Sequence, residues 1–178
     1  MSTRGVAWVT GASAGIGRAV ARSLAAEGWT VAVSARRRER LDALAAEADG
    51  AIRVYPLDVT DAAACAEVAG RIESAEGPID LVILNAGDYR PMPAADFDAE
   101  LFRKLVDVNY LGVVNCLGSV LAPMRARKRG EILVMASVAG YRGLPLAAPY
   151  GATKAALISM AESLHAELAG SGVRLRVV

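Results

Sequence analysis

Val6-Ala7-Trp8-Val9-Thr10-Gly11-Ala12-Ser13-Ala14-Gly15-Ile16-Gly17 joins an apolar run to a string of small residues. Val6–Val9 reads as a short buried strand ending at Thr10-Gly11. From Gly15 to Glu27 the apolar residues Ile16, Ala19, Val20 and Leu24 share one helical face, and Gly28 closes that helix as a C′ glycine. Small side chains between strand and helix let backbone approach a ligand. The helix start then offers free N–H groups and a positive dipole end, a combination suited to phosphate.

Outward from this unit, short apolar runs alternate with helical stretches. Strands are expected at Thr30–Ser34, Ile52–Leu57, Ile79–Leu84, Glu131–Ala136 and Val173–Val178. Helices are expected at Arg37–Ala48, Asp61–Ala75, Asp96–Asp107, Leu111–Arg127 and Tyr150–Ala169. Strict alternation implies an α/β fold, a Rossmann-type doubly wound parallel sheet in a single domain. In such sheets ligands bind outside the carboxyl ends of the strands. We therefore read residues 1–178 as one dinucleotide-binding and catalytic domain, truncated after the sixth strand.

Composition narrows the class. The chain has 178 residues, 54% of them apolar, with 20 Lys and Arg against 19 Asp and Glu. That length suits one core, and the hydrophobicity excludes a disordered chain. Near-zero net charge argues against nucleic-acid binding, because the only basic cluster is Arg36-Arg37-Arg38 with Arg40. Cys65 and Cys116 lack metal-ligand spacing and read as small apolar filler on buried helix faces, and no metal is expected. Met1–Val9 is too short for a signal peptide, and Val108–Met124 is too polar for a membrane span. A cytoplasmic protein without membrane contact is expected.

The glycine spacing, G-x-x-x-G-x-G, departs from the general dinucleotide G-x-G-x-x-G. Cofactor type is read at the end of the second strand, where NAD-binding folds place an acid on the adenosine ribose. Here Ser34-Ala35-Arg36-Arg37 carries none, and an arginine fork suits a 2′-phosphate. NADP(H) is the expected cofactor. Tyr150 and Lys154 stand one helical turn apart, and an ammonium beside a phenol favours the phenolate. Tyr150 is thus a candidate general acid–base. Ser137 after the fifth strand, Asn109 between two helices and Asn85-Ala86-Gly87 after the fourth strand converge on the same sheet edge.

Together Thr10-Gly11-x3-Gly15-Ile16-Gly17, Asn85-Ala86-Gly87, Asn109, Ser137 and Tyr150-x3-Lys154 resemble the motif set of the classical short-chain dehydrogenase/reductase family, of its NADP-preferring type. The resemblance covers the whole chain. It implies that Tyr150 exchanges a proton with a carbonyl or alcohol. Lys154 would bind the nicotinamide ribose, Ser137 would steady the substrate oxygen, and Asn109 would hold a relay water. Gly11, Ser13, Gly15, Ile16, Gly17, Arg36, Arg37, Asp58, Val59, Asn85, Ala86 and Gly87 would surround the cofactor, with Tyr150 and Lys154. Ala14 departs from members that carry Lys or Arg there. The family also continues past the sixth strand with a Pro-Gly turn, a substrate loop and a further strand, which this sequence lacks.

The helices Leu111–Arg127 and Tyr150–Ala169 are apolar on more than one face, and in the family the corresponding helices pair, so a homodimer or homotetramer is expected. His165, four turns past Tyr150, is not expected to be catalytic. Asp88, Tyr89 and Arg90, on the loop after Asn85-Ala86-Gly87, read equally as substrate contacts or as exposed surface, and Tyr141, Arg142 and Leu144 are expected to line the pocket. The leading expectation is hydride transfer between NADP(H) and a small carbonyl or secondary alcohol. A non-catalytic NADP(H)-binding sensor or scaffold is the alternative, and a methyltransferase fails to explain Tyr150-x3-Lys154.

Overall fold

The computed structural model describes residues 4–178. Residues 1–3, part of the stretch Met1–Val9 discussed above, lie outside the described residues. Six strands pair in parallel in the order β3-β2-β1-β4-β5-β6. They are β1 (Val6–Thr10), β2 (Thr30–Ser34), β3 (Ile52–Val54), β4 (Ile79–Leu84), β5 (Gly130–Val134) and β6 (Val173–Val177). The helices are α1 (Gly15–Ala26), α2 (Arg38–Ala45), α3 (Ala62–Glu76), α4 (Ala99–Leu105), α5 (Gly112–Ala126), α6 (Val138–Tyr141) and α7 (Ala148–Glu167). The doubly wound parallel sheet read from the alternation is what the chain forms.

Both faces of the sheet are covered, which explains the unbroken apolar runs at residues 6–9 in β1, 31–33 in β2 and 81–84 in β4. The edge strands β3 and β6 instead alternate with exposed Arg53, Arg174 and Arg176. Val6 and Trp8 of β1 face a core with Val68, Ile72, Leu117, Val120 and Leu157 from α3, α5 and α7. Ala7 and Val9 face the opposite core with Ala21, Leu41 and Leu44 from α1 and α2. Trp8, fully buried, donates its indole N–H to Ser34 Oγ at 2.9 Å and so ties β1 to β2.

Three boundaries differ from expectation in ways that matter. Asp96–Asp107 and Leu111–Arg127 were expected as separate helices with Asn109 between them. Instead one helical rod runs from Ala99 to Ala126, and Val106–Leu111 forms a wider π-type turn within it. Asp98 caps its start by accepting from the Glu100 amide at 2.8 Å, after a short 3₁₀ turn at Ala94–Asp96. This rod is long and apolar enough to cross a membrane, yet it buries Leu105, Val113, Cys116, Leu117, Val120 and Met124 inside the protein. Second, the turn after β5 forms α6, which the sequence reading left unassigned. Third, α7 starts at Ala148 rather than Tyr150, because Pro149 suits a first helical turn. Regular pairing of β3 stops at Val54, although the Tyr55 and Leu57 amides still bond to Val33 and Ala35 carbonyls.

The strand order reverses between β1 and β4, and there the chains after both strands part. Gly11 adopts φ +70°, and a Cβ on it would lie 2.8 Å from Ala86 Cα. Gly17 docks α1 so closely that a Cβ would lie 2.5 Å from Asn85 Nδ2 and 2.6 Å from the Gly11 carbonyl oxygen. Gly17→Ala is therefore expected to destabilise by about 1–2 kcal/mol, since overpacking of up to ~3 kcal/mol exceeds the ~1 kcal/mol gain in helix propensity. Urea unfolding measures this, and an unchanged midpoint would contradict the tight docking.

Candidate active site

Thr10 and Asn85 build the floor of the crevice. The Thr10 hydroxyl donates to the Ile83 carbonyl at 3.3 Å and accepts from the Asn85 and Ala86 amides, each at 3.1 Å. Asn85 Nδ2 donates back to the Thr10 carbonyl at 3.0 Å. Above this floor lies a cleft of about 510 Å³ lined by Gly11, Ser13, Ala14, Gly15, Ile16, Ala35, Arg36, Arg37, Leu57, Asp58, Val59, Asn85, Ala86, Gly87 and Val108. Eleven of these were singled out from the sequence. Ala14, Ala35, Leu57 and Val108 were not, because small or apolar wall residues carry no chemical signature. Gly17 lies beneath the cleft as a packing position.

The donor chemistry of the cleft fits a phosphate-bearing ligand. Ala14 precedes α1 without a capping side chain, and no acid sits in the first turn, so the helix start keeps its N–H donors for a ligand. Arg37 Nη2 donates to Ser13 Oγ at 3.0 Å, which holds its guanidinium over the turn. Burial raises the Asp58 carboxyl, but hydrogen bonds from the Thr60 amide (3.0 Å) and hydroxyl (2.8 Å), with the Arg36 charge, hold it below the usual carboxylate range.

A second group stands at the carboxyl end of β5. Ser137 caps α6, its Oγ accepting from the Ala139 amide at 3.2 Å. Tyr150 and Lys154 project from the first turns of α7. Lys154 is only 4% exposed, and its Nζ donates to the Met135 carbonyl at 2.7 Å while standing 5.6 Å from the centre of the Tyr150 ring. The Tyr89 ring meets Tyr150 edge-on, with centroids 5.1 Å apart and planes at 79°. Gly140 lets α6 press onto α7, since a Cβ there would lie 2.7 Å from the Lys154 backbone.

Asn109 is fully buried in the π-type turn. Its Oδ1 accepts from the Asp88 amide at 2.7 Å, and its Nδ2 donates to the Asp88 carbonyl at 2.9 Å and Thr153 Oγ1 at 3.2 Å. The side chain thus clasps the loop after β4 to α7 at the helical turn between Tyr150 and Lys154. Thr153, which also donates to the Tyr150 carbonyl at 2.7 Å, escaped the sequence reading, as did the Met135 carbonyl. Backbone acceptors have no residue signature, and Thr153 became visible only once Asn109 was placed. His165 lies at the far end of α7 with Nδ1 2.9 Å from the Leu175 carbonyl oxygen, tying the helix to β6.

Burial pushes the Lys154 ammonium down to about 8 from its ordinary 10.5. Below pH 8 both folded and unfolded chains carry the charge, and the folded state bears a burial cost on the order of 3 kcal/mol. Between pH 8 and 10.5 the folded chain has released a proton that the unfolded chain keeps, so this cost fades as pH rises. Lys154→Met removes the titration. Denaturant unfolding from pH 7 to 10.5 is expected to show wild type gaining stability relative to the variant by on the order of 3 kcal/mol. Parallel pH profiles would refute the buried-charge account.

Residues 5–178 match the family described as short chain dehydrogenase. An uncharacterized oxidoreductase of Myxococcus xanthus is 41% identical over 175 residues, covering 97% of this chain and 69% of that protein. A 2-dehydro-3-deoxy-L-rhamnonate dehydrogenase (NAD(+)) of a Sphingomonas species is 39% identical over 166 residues, covering 93% of this chain and 66% of its own. Among solved structures, an actinorhodin polyketide ketoreductase variant with NADPH superposes with a TM-score of 0.94 at 33% identity, covering 99% of this chain and 70% of that one. The chain therefore spans about two thirds of the length of these relatives. With a matched family profile over nearly all its residues, a relative at 41% identity and the parallel sheet above, this chain belongs to the short-chain dehydrogenase family of oxidoreductases.

Proposed function

We propose that this protein interconverts a carbonyl and a secondary alcohol on a small molecule, with NADP(H) as the redox partner. The observation that carries this reading is the ammonium of Lys154, buried beside the Tyr150 ring at the carboxyl end of β5. A buried cation beside a phenol at a strand end marks a candidate functional site. NADPH, when bound, supplies the hydride. Tyr150 donates the proton that the reduced carbonyl oxygen needs, and takes one back in the reverse direction. Lys154 stands beside the Tyr150 ring and holds the nicotinamide ribose hydroxyls. Ser137 steadies the developing negative charge on the substrate oxygen. Asn109 fixes the loop after β4 and serves the relay that returns protons to Lys154.

The cofactor's phosphates are assigned to the uncapped start of α1 and to Gly11, Ser13, Gly15 and Ile16. Asp58 and Val59 take the adenine, Ala86 and Gly87 pass along the ring system, and Asn85 braces the floor. Arg36 and Arg37 take the 2′-phosphate. The NADPH-bound ketoreductase supports that choice, while the Sphingomonas relative, whose name gives NAD(+), makes the arginines the deciding feature. The same reading makes residues 1–178 one catalytic unit of a cytoplasmic homodimer or homotetramer without nucleic-acid or membrane partners. Half-exposed Val106 and Leu111 on the long helical rod support self-association.

Tyr150→Phe is expected to lower kcat for NADPH-driven reduction of a carbonyl panel by about 10²–10⁴-fold while leaving NADPH affinity nearly unchanged. Retained turnover would remove Tyr150 from the mechanism, and wild-type binding without any turnover would favour a sensor. Separately, Arg36→Asp is expected to move the NADPH-to-NADH preference by roughly 10–100-fold toward NADH, the loss of one charge-assisted bond. An unmoved ratio would defeat the 2′-phosphate assignment.

A further inference from the structure

Cys65 and Cys116 are the only cysteines in the chain, and both are buried. Cys65 sits in the first turn of α3 and Cys116 in α5, helices that pack side by side on one face of the sheet. Apolar filler accounts for their burial. It does not account for two sulfurs facing each other at 3.6 Å across the helix pair. A disulfide needs about 2.05 Å, so the two sulfurs must approach by roughly 1.5 Å to bond.

The surroundings differentiate the two thiols. The Cys116 S–H donating to Cys65 favours the Cys65 thiolate and pulls that thiol below its ordinary value against the opposing effect of burial. The same bond, with burial, holds Cys116 protonated well above its ordinary value. Ala62, Asn115, Thr60 and Leu111 line an open groove, and Asn115 shares the Val59 carbonyl with Cys65 Sγ, so one groove residue and the pair meet at the same backbone oxygen.

We propose that Cys65 and Cys116 form a redox site that hydrogen peroxide closes to a disulfide between α3 and α5. The Cys65 thiolate attacks one peroxide oxygen; the S–O bond forms as the O–O bond breaks, and hydroxide leaves. Cys116 sulfur then attacks the Cys65 sulfenic acid; the S–S bond forms, the S–O bond breaks, and water departs with the Cys116 proton. Two thiols are oxidised by two electrons and one peroxide is reduced to two waters.

Closure also reaches the cleft. The Val59 carbonyl accepts from Cys65 Sγ at 3.6 Å and from Asn115 Nδ2 at 2.9 Å, and Val59 lines the cleft. Its side chain is wedged against Gly112, where a Cβ would lie 2.6 Å from Cγ2. Drawing α5 toward α3 therefore moves Val59, and this consequence rests on reading the cleft as the dinucleotide site.

The full chain treated with hydrogen peroxide is expected to lose the mass of two hydrogen atoms, reversibly with dithiothreitol, and peptide mapping is expected to join Cys65 to Cys116. In Cys116→Ser, whose hydroxyl still donates to Cys65, dimedone is expected to trap a sulfenic acid at Cys65, whereas Cys65→Ser leaves Cys116 unlabelled. Two thiols still titratable after peroxide and unfolding, or oxygen addition without a crosslink, would overturn the proposal. Oxidised protein is expected to bind NADPH several-fold more weakly than reduced protein. Equal affinities would overturn the coupling to Val59. A reduced protein that binds no NADPH would instead overturn the cofactor reading and leave the disulfide standing.

Discussion

The junction between Thr10 and Asn85 governs everything built at the carboxyl edge of the sheet. One threonine hydroxyl, 1% exposed, gives its proton to Ile83 and receives two amides from the chain leaving β4. The returning amide of Asn85 locks the start of the glycine turn. At a topological switch point two chains must separate, and their freed backbone groups need partners that the sheet no longer provides. Thr10 and Asn85 supply these partners within the protein, so the crevice can open without orphaned polar groups.

The second group works by the opposite logic. The floor of the cleft is satisfied at rest, while Lys154 is held in surroundings that disfavour its charge, with the Met135 carbonyl as its hydrogen-bond acceptor. The helix that bears Tyr150 and Lys154 is fixed from two sides, by Asn109 through Thr153 and by α6, whose Gly140 packs on the Lys154 backbone. The charge of this one side chain is therefore held at the expense of fold stability.

Much of this was legible in the residues. Doubly buried strands announce themselves as apolar runs, and the glycine turn, Arg36-Arg37 and Tyr150-x3-Lys154 carry their chemistry in their side chains. The π-type turn was not legible, because Val106–Leu111 has no residue that forbids a helix and its widened backbone answers to tertiary contacts of Asn109. Nor was α6, a single turn defined by the Ser137 cap. The facing of Cys65 and Cys116 lay outside any local pattern, because their contact spans 51 positions in sequence.

The π-type turn also sets a length rule for the rod that contains it. It accommodates one more residue than a regular helix would in the same span. Removing a residue between Val106 and Leu111 would restore regular winding and rotate one half of the rod against the other by about 100°. Either Asn109 would leave the Asp88 loop, or Val113, Cys116 and Val120 would leave their core positions. Substitutions in this segment are thus judged side chain by side chain, but an insertion or deletion is judged by the whole helix. The segment should drift in sequence far more readily than in length.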